Sequence, residues 1–560
     1  MEANNVLDWR YALRLGLLAG AVVVYTAAIG MVETFSPRSI IANVLTLGQL
    51  MVYGPALVFG YVVGSRGRNG QAGAPARLFY GLLTGLFSSV PVIVLILIGA
   101  AFPGIRNMFV SISPPLVDIL TLGLGTVTGS LVMAAILTGL AAVGAFLYLL
   151  PERLRTAAIS GVAAVIVVGL LGQLFNQILS DLFSAGTARA VFVRGTLRLN
   201  AAIVLFIVGA AISYFWVSGS GQVHRQYVAL NSSGRRAVRG TGYTLLGLIL
   251  LALPWVLGTY LSEVMNNVGI YVLMALGLNM AVGLAGLLDL GYVANFAVGA
   301  YVMGLLTSTG NLGIGHLNFW LVLPISIVAA MIGSGILALP VLRMRGDYLA
   351  ITTLGFGEII RLVVLSDWMK PWTGGAQGVL QIPNARIGPL VFGAPETIYY
   401  LLLAASLLVL FVSVRLDNSR IGRQWMAMRE DEDAAKSSGI DTMMAKLLAF
   451  ALSAASGGLA GAIFAAKLGT IFPHSFSLLI SINALAVIIV GGMGSIPGIV
   501  IGALVLVGLP ELLREFAEYR LLFYGILLVF MMLKRPEGLW PSTTRRRELT
   551  SQPDLVVAGD

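Results

Sequence analysis

The chain has 560 residues, 58% of them hydrophobic and only 11% charged, with a mean hydropathy of +0.91. Soluble globular chains carry about 25% charged residues, so the totals exclude a soluble fold and predict an all-α, polytopic helical membrane protein. The formal net charge of +10 falls mainly in short loops between apolar runs, which points to membrane orientation rather than nucleic acid, and the absence of cysteine excludes disulfides, thiolate metal sites and cysteine nucleophiles.

A span needs roughly 20 apolar residues. Runs at 11–32, 40–63, 79–101, 117–149, 157–180 and 199–217 predict about six N-terminal spans, making 1–217 a first transmembrane block. The run 11–32 is too long for the core of a signal peptide and reads as a retained first span. Arg10 and Arg14, then Arg66, Arg68 and Arg77, then Arg153 and Arg155, then Arg225, Arg235, Arg236 and Arg239 fall on one face. Positive-inside bias makes that face cytoplasmic. The loop 181–198, with Arg189, Arg194 and Arg198, should then lie outside and is expected to be re-entrant or interfacial.

Residues 218–241 are Gly/Ser-rich, basic and weakly apolar, and are expected to be a cytoplasmic linker. Further runs follow near 242–260, 266–284, 291–309, 318–341, 347–366, 398–414, 447–468, 476–491, 497–512 and 520–533, giving about 16 hydrophobic segments in all. Alternate counting puts Arg343 and Arg345, the stretch 415–446 and the tail with Lys534, Arg535 and Arg545 to Arg547 on the cytoplasmic side. The segment 367–397, with Trp368 and Trp372, falls outside and is long enough to be structured; 542–560 is expected to be a cytoplasmic tail, of which 548–560 is expected to lack fixed structure.

The stretch 415–446, RLDNSRIGRQWMAMREDEDAAKSSGIDTMMAK, is the longest charged island between spans. Ile421, Trp425, Met428 and Ala435 form an apolar stripe at helical spacing, and Gly439 is placed to end the helix. Such a helix is either a plain connector or a knob for a groove on a soluble partner.

No G-x-x-x-x-G-K-[ST] occurs, so the chain lacks a phosphate-cradling loop of its own. In GGMGSIPG, Gly494, Gly498 and Gly502 recur every four residues, a spacing that lets helix backbones approach closely, and Pro497 suits the start of a second half-span. His224, His316 and His474 are scattered without ligand spacing, so no metal site is predicted, and no base accompanies the serines. Ionisable groups within or at the edge of spans are functional candidates by default. They are Asp289, Asp347, Glu358, Arg361 and Lys467, although the aspartates also suit helix N-termini and Glu358 can pair with Arg361. Asn279, Asn295, Thr352, Thr353 and Asn483 either line a path, together with Asp289 and Glu358, or bond between helices.

Three stretches resemble the permease subunit of branched-chain amino acid ABC importers: GLNMAVGLAGLLDLGYVANFAVGAY (277–301), RMRGDYLAITTLGFGEIIRL (343–362) with TGGAQGV, and SRIGRQWMAMREDEDAAKSSGID (419–441). GGMGSIPGIVIGALV and the ending RPEGLW also fit, so the resemblance covers about 245–541, within an expected permease core 242–541. Residues 1–235 stand as an N-terminal extension. The resemblance implies a multi-pass protein of the cytoplasmic (inner) membrane working with two ABC ATPase subunits, a second and different permease subunit and a substrate-binding protein. ATP and Mg would be bound by the partners, with no cofactor or catalytic residue in this chain. The island would be the coupling helix, with Gly422, Arg423, Arg429, Glu430, Asp431, Glu432 and Gly439 matching the family loop and Trp425 and Met428 as buried anchors in the ATPase cleft. The same machine for urea or short amides is the alternative; an ion-coupled secondary transporter would need clustered buried carboxylates, which the spans lack.

Overall fold

The computed structural model describes residues 9–65, 73–101, 111–229, 231–341, 344, 347–512, 519–535 and 537–541. Arg66, Arg68, Arg343, Arg345, Arg545 to Arg547 and the tail 542–560 lie outside the described residues. The chain divides into two compact units, Met1–Leu246 and Gly247–Asp560.

The first unit is built on the helices Trp9–Ala28, Leu47–Ser65, Ala74–Ala101 and Thr126–Leu149, followed by Glu152–Leu170 and Leu199–Ala229. Its core is small and aliphatic (Val23, Val52, Val92, Ile96, Leu116, Met133, Leu137), and large apolar side chains face outward along the same helices. That inversion is what a lipid-facing bundle requires, since the bilayer solvates apolar side chains and helices cohere through close packing. The loop 181–198 carries a short helix and a hairpin. Ser184 caps the short helix Ala185–Val191, and Phe192–Val193 and Thr196–Leu197 make a hairpin whose second strand runs parallel to Ser39–Ile41. Arg189, Arg194 and Arg198 are exposed there. The residues expected as a linker are carried on the ends of Leu199–Ala229 and Ser232–Asn279.

Among the described residues, 12 helices are long and apolar enough to cross a membrane. The sixteen predicted segments are too many by that measure for two reasons. The helix Ser232–Asn279 absorbs two of them across a break at Gly258, and Val293–Thr307, Ile496–Leu512 and Tyr524–Lys534 fall below spanning length. The second unit centres on Thr442–Leu468, which packs against Val293–Thr307 and Phe319–Val341. Segment 367–397 is ordered by a helical turn at Lys370–Thr373, a hairpin pairing Ala385–Ile387 with Leu390–Phe392, and a two-way backbone bridge between Val379 and Ile471. The short strands of this hairpin and of the small sheet in the first unit are the departures from the all-α expectation among the described residues.

Candidate functional site

The island folds as two helices, Arg420–Glu430 and Glu432–Ser437, joined at Asp431. Ser419 caps the first by accepting from Gly422 N at 3.1 Å; Asp431 caps the second by accepting from Asp433 N and Ala434 N, each at 2.9 Å. Gly439, at φ +84°, ends it in the left-handed conformation that glycine adopts without a steric penalty. Gly422 is required for contact: a Cβ there would meet the carbonyl oxygen of Leu416.

Three bonds fix the two island helices, two of them to the first turns of Thr442–Leu468, which begins inside the same stretch, and one to the end of the long helix. Trp425 is fully buried and its indole N–H donates to Ala445 O at 2.8 Å. The Arg429 guanidinium donates to Gly283 O at 2.6 Å, while its aliphatic stem lies over Gly286. Lys446, buried, pairs with Glu432 at 2.6 Å. Trp425 and Met428 are therefore anchors within this chain and have no side-chain surface left for a partner cleft. The apolar stripe is real, but the covering surface is Thr442–Leu468. Arg420, Arg423, Glu430, Asp431 and Lys436 stay exposed, as does Arg429 despite its bond to Gly283.

Gly283 belongs to a π-helical turn, Met280–Leu284, at the end of the long helix. A π turn leaves a local defect in the helical ladder, and such defects recur at functional sites. Asn279 accepts from Gly494 N at 3.0 Å through Oδ1, so it ties this turn to the break between Leu478–Gly491 and Ile496–Ala503. Gly494 sits in the break at φ +76°, outside either helix, so only Gly498 and Gly502 serve the close packing expected of all three. A Cβ on Gly498 or Gly502 would strike the backbone of Gly491 or Val487. The RPEGLW ending closes the same break. Leu539 N donates to Val490 O at 2.8 Å and Trp540 N to Gly491 O at 3.0 Å.

Of the candidate pathway residues, Asp289, Asn295 and Thr353 line one small cavity, with Gly291, Ala294, Ser334, Leu337, Ala338, Phe356 and Phe450. Asp289 Oδ1 accepts from Gly291 N at 3.0 Å, and the Thr353 hydroxyl accepts from Leu290 N at 3.1 Å, so the turn before Val293–Thr307 is held by the residues that line it. The other four candidates lie elsewhere. Asn279 is the pin just described; Thr352 donates to Tyr348 O at 2.8 Å; Glu358 pairs with Arg361 on its own helix; Asn483 accepts from the Tyr524 hydroxyl at 3.0 Å. Lys467 is buried and held by Glu263 at 2.7 Å and Asn267 at 2.8 Å, away from that cavity. Sequence reasoning missed Ser334, whose signal was a hydroxyl flanked by Gly333 and Gly335 in an otherwise aliphatic helix.

A family described as "Branched-chain amino acid transport system / permease component" matches residues 260–532. The chain is 40% identical to the high-affinity branched-chain amino acid transport system permease protein LivM of Escherichia coli (strain K12), over 330 residues that cover 54% of this chain and 76% of that protein. The chain belongs to this family of permease components. This permease is also 25% identical, over 332 residues, to the probable LivM of Methanocaldococcus jannaschii, covering 50% of this chain and 93% of that one. It is 25% identical over 304 residues to LivH of Salmonella typhimurium, covering 50% and 95%. No solved structure matches the permease. The family match begins within the second unit, which holds both the island and the Asp289 cavity.

Proposed function

We propose that the chain is the membrane-spanning permease subunit of an ATP-driven importer of branched-chain or related amino acids, working with two ATPase subunits, a second permease chain and a substrate-binding protein. The island is its coupling element, and the island and the C-terminus face the cytoplasm. The observation that carries the reading is the two-sided build of 415–446. One side is fixed to the bundle by Trp425, Arg429 and Lys446, and the other presents exposed charge of both signs. A connector needs no such anchoring. A lever needs both, because a load applied at the outer face reaches the spans only through rigid attachment. Exposed charges at a docking face set orientation and partner choice more than affinity.

Within this reading Arg429 transmits rather than docks. It joins the island to the π turn, and Asn279 joins that turn to the Gly494 break, so movement of the island is passed to two discontinuous helices. The test uses the complex reconstituted in vesicles with leucine. Reversing Arg423 and Glu430 together (Arg423→Glu, Glu430→Lys) should weaken co-purification of the ATPase. Arg429→Ala should leave the ATPase bound and hydrolysing while uptake falls. Normal uptake in both variants would remove the coupling role.

A further inference from the structure

Asp289 is 3% exposed, and among the described residues no Lys or Arg pairs with it. Its polar neighbours are the Gly291 N–H and the Thr353 hydroxyl. A carboxylate removed from water needs a proton, an opposite charge or a full set of donors, and inside a membrane protein such a group marks a ligand or ion path. The same cavity is lined by Asn295, 5% exposed, whose side-chain amide has no hydrogen-bond partner among the described residues. Ser334 adds a hydroxyl that makes only a long 3.4 Å bond to Phe450 O. The remaining wall is apolar: Leu337, Ala338, Phe356 and Phe450.

One carboxylate, one spare amide and an aliphatic–aromatic wall do not suit an anion. They do not suit a hard divalent cation either, which takes six or more oxygens. They match a primary ammonium carried on an aliphatic group, since a charged hydrogen bond to a carboxylate is among the stronger polar contacts and the faces of Phe356 and Phe450 favour alkyl and cationic groups. We propose that this cavity receives the α-ammonium of the transported amino acid, with Asp289 taking the charge and Asn295 orienting the head; at about 30 Å³ it admits the head group, and the branched side chain stays outside it. This rests on the transport function proposed above. It also gives the Arg429 link a purpose, because Gly283 and Asp289 are on the one connection between the long helix and Val293–Thr307.

Two measurements on the full complex test it. In vesicles supplied with ATP, Asp289→Asn should slow leucine uptake roughly ten- to a hundredfold, the loss expected for one charged hydrogen bond, while Asp289→Glu recovers part of it. In the unmutated complex without binding protein, a hydrophobic carbodiimide should modify Asp289, read by mass spectrometry. Leucine and isopentylamine should protect it, whereas isocaproate, which lacks the amino group, should not. Wild-type uptake by Asp289→Asn, or equal protection by isocaproate, overturns the site. If the unmutated complex fails to import leucine although isopentylamine still protects Asp289, the transport reading fails and the ammonium site stands.

Discussion

Trp425 shows how much one side chain can fix in a segment that is otherwise surface. Its ring is the largest fully buried side chain among the described residues, and its N–H is satisfied by the Ala445 carbonyl on Thr442–Leu468. Trp425→Phe should keep most of the packing and lose the bond, costing about 1 kcal/mol; Trp425→Ala should cost about 3–5 kcal/mol. Thermal unfolding of the detergent-solubilised chain would rank them, and equal midpoints would contradict the anchor role. Glu432 and Lys446 make a second residue-scale case. Lys446 is buried while Glu432 keeps a quarter of its side chain exposed, so Glu432→Gln, which strands the buried ammonium, should destabilise more than Lys446→Met. The double variant should then fall short of their sum by roughly 1 kcal/mol or more. Additive effects would mean the pair is decorative.

At the scale of elements, the break after Gly491 depends on backbones in near contact. Gly498→Leu should prevent Ile496–Ala503 from seating, because even a Cβ there runs into Gly491 O. The expected result is loss of monodisperse protein on gel filtration, whereas Gly439→Ala, which meets no neighbouring atom, should fold and lose only about 1 kcal/mol of backbone fit. What could be seen in sequence at this scale follows the same physics. Apolar runs, the amphipathic island and its glycine stop were legible because period and capping are local. The inward direction of Trp425 was not, since helical spacing says that a stripe is covered without saying by what. Nor could spacing reveal that Asp289, Asn295, Ser334 and Thr353 meet, because a turn, three helices and the bonds Gly291–Asp289 and Leu290–Thr353 bring them together.

At the scale of the whole molecule, the family match and the proposed machinery both fall in the unit Gly247–Asp560. A chain lacking 1–235 should therefore still insert and support uptake in the complex. Complete loss of uptake with normal insertion would assign the first unit a part in transport. Sidedness can be read directly, since the sequence contains no cysteine. Ser437→Cys and Ser542→Cys should both resist a membrane-impermeant thiol reagent in intact cells and both react in inverted vesicles; a split result would refute the shared cytoplasmic side.

The docking of Leu539 and Trp540 onto Val490 and Gly491 has a consequence for biogenesis. These two carbonyls lie at the interruption of an apolar hairpin, yet their donors are encoded beyond the terminal helix Arg520–Lys534. The joint must wait, open, through synthesis and insertion of that helix. Ribosomes stalled before Leu539 would then hold a chain whose hairpin is accessible to membrane proteases, and release of the final segment would latch it shut.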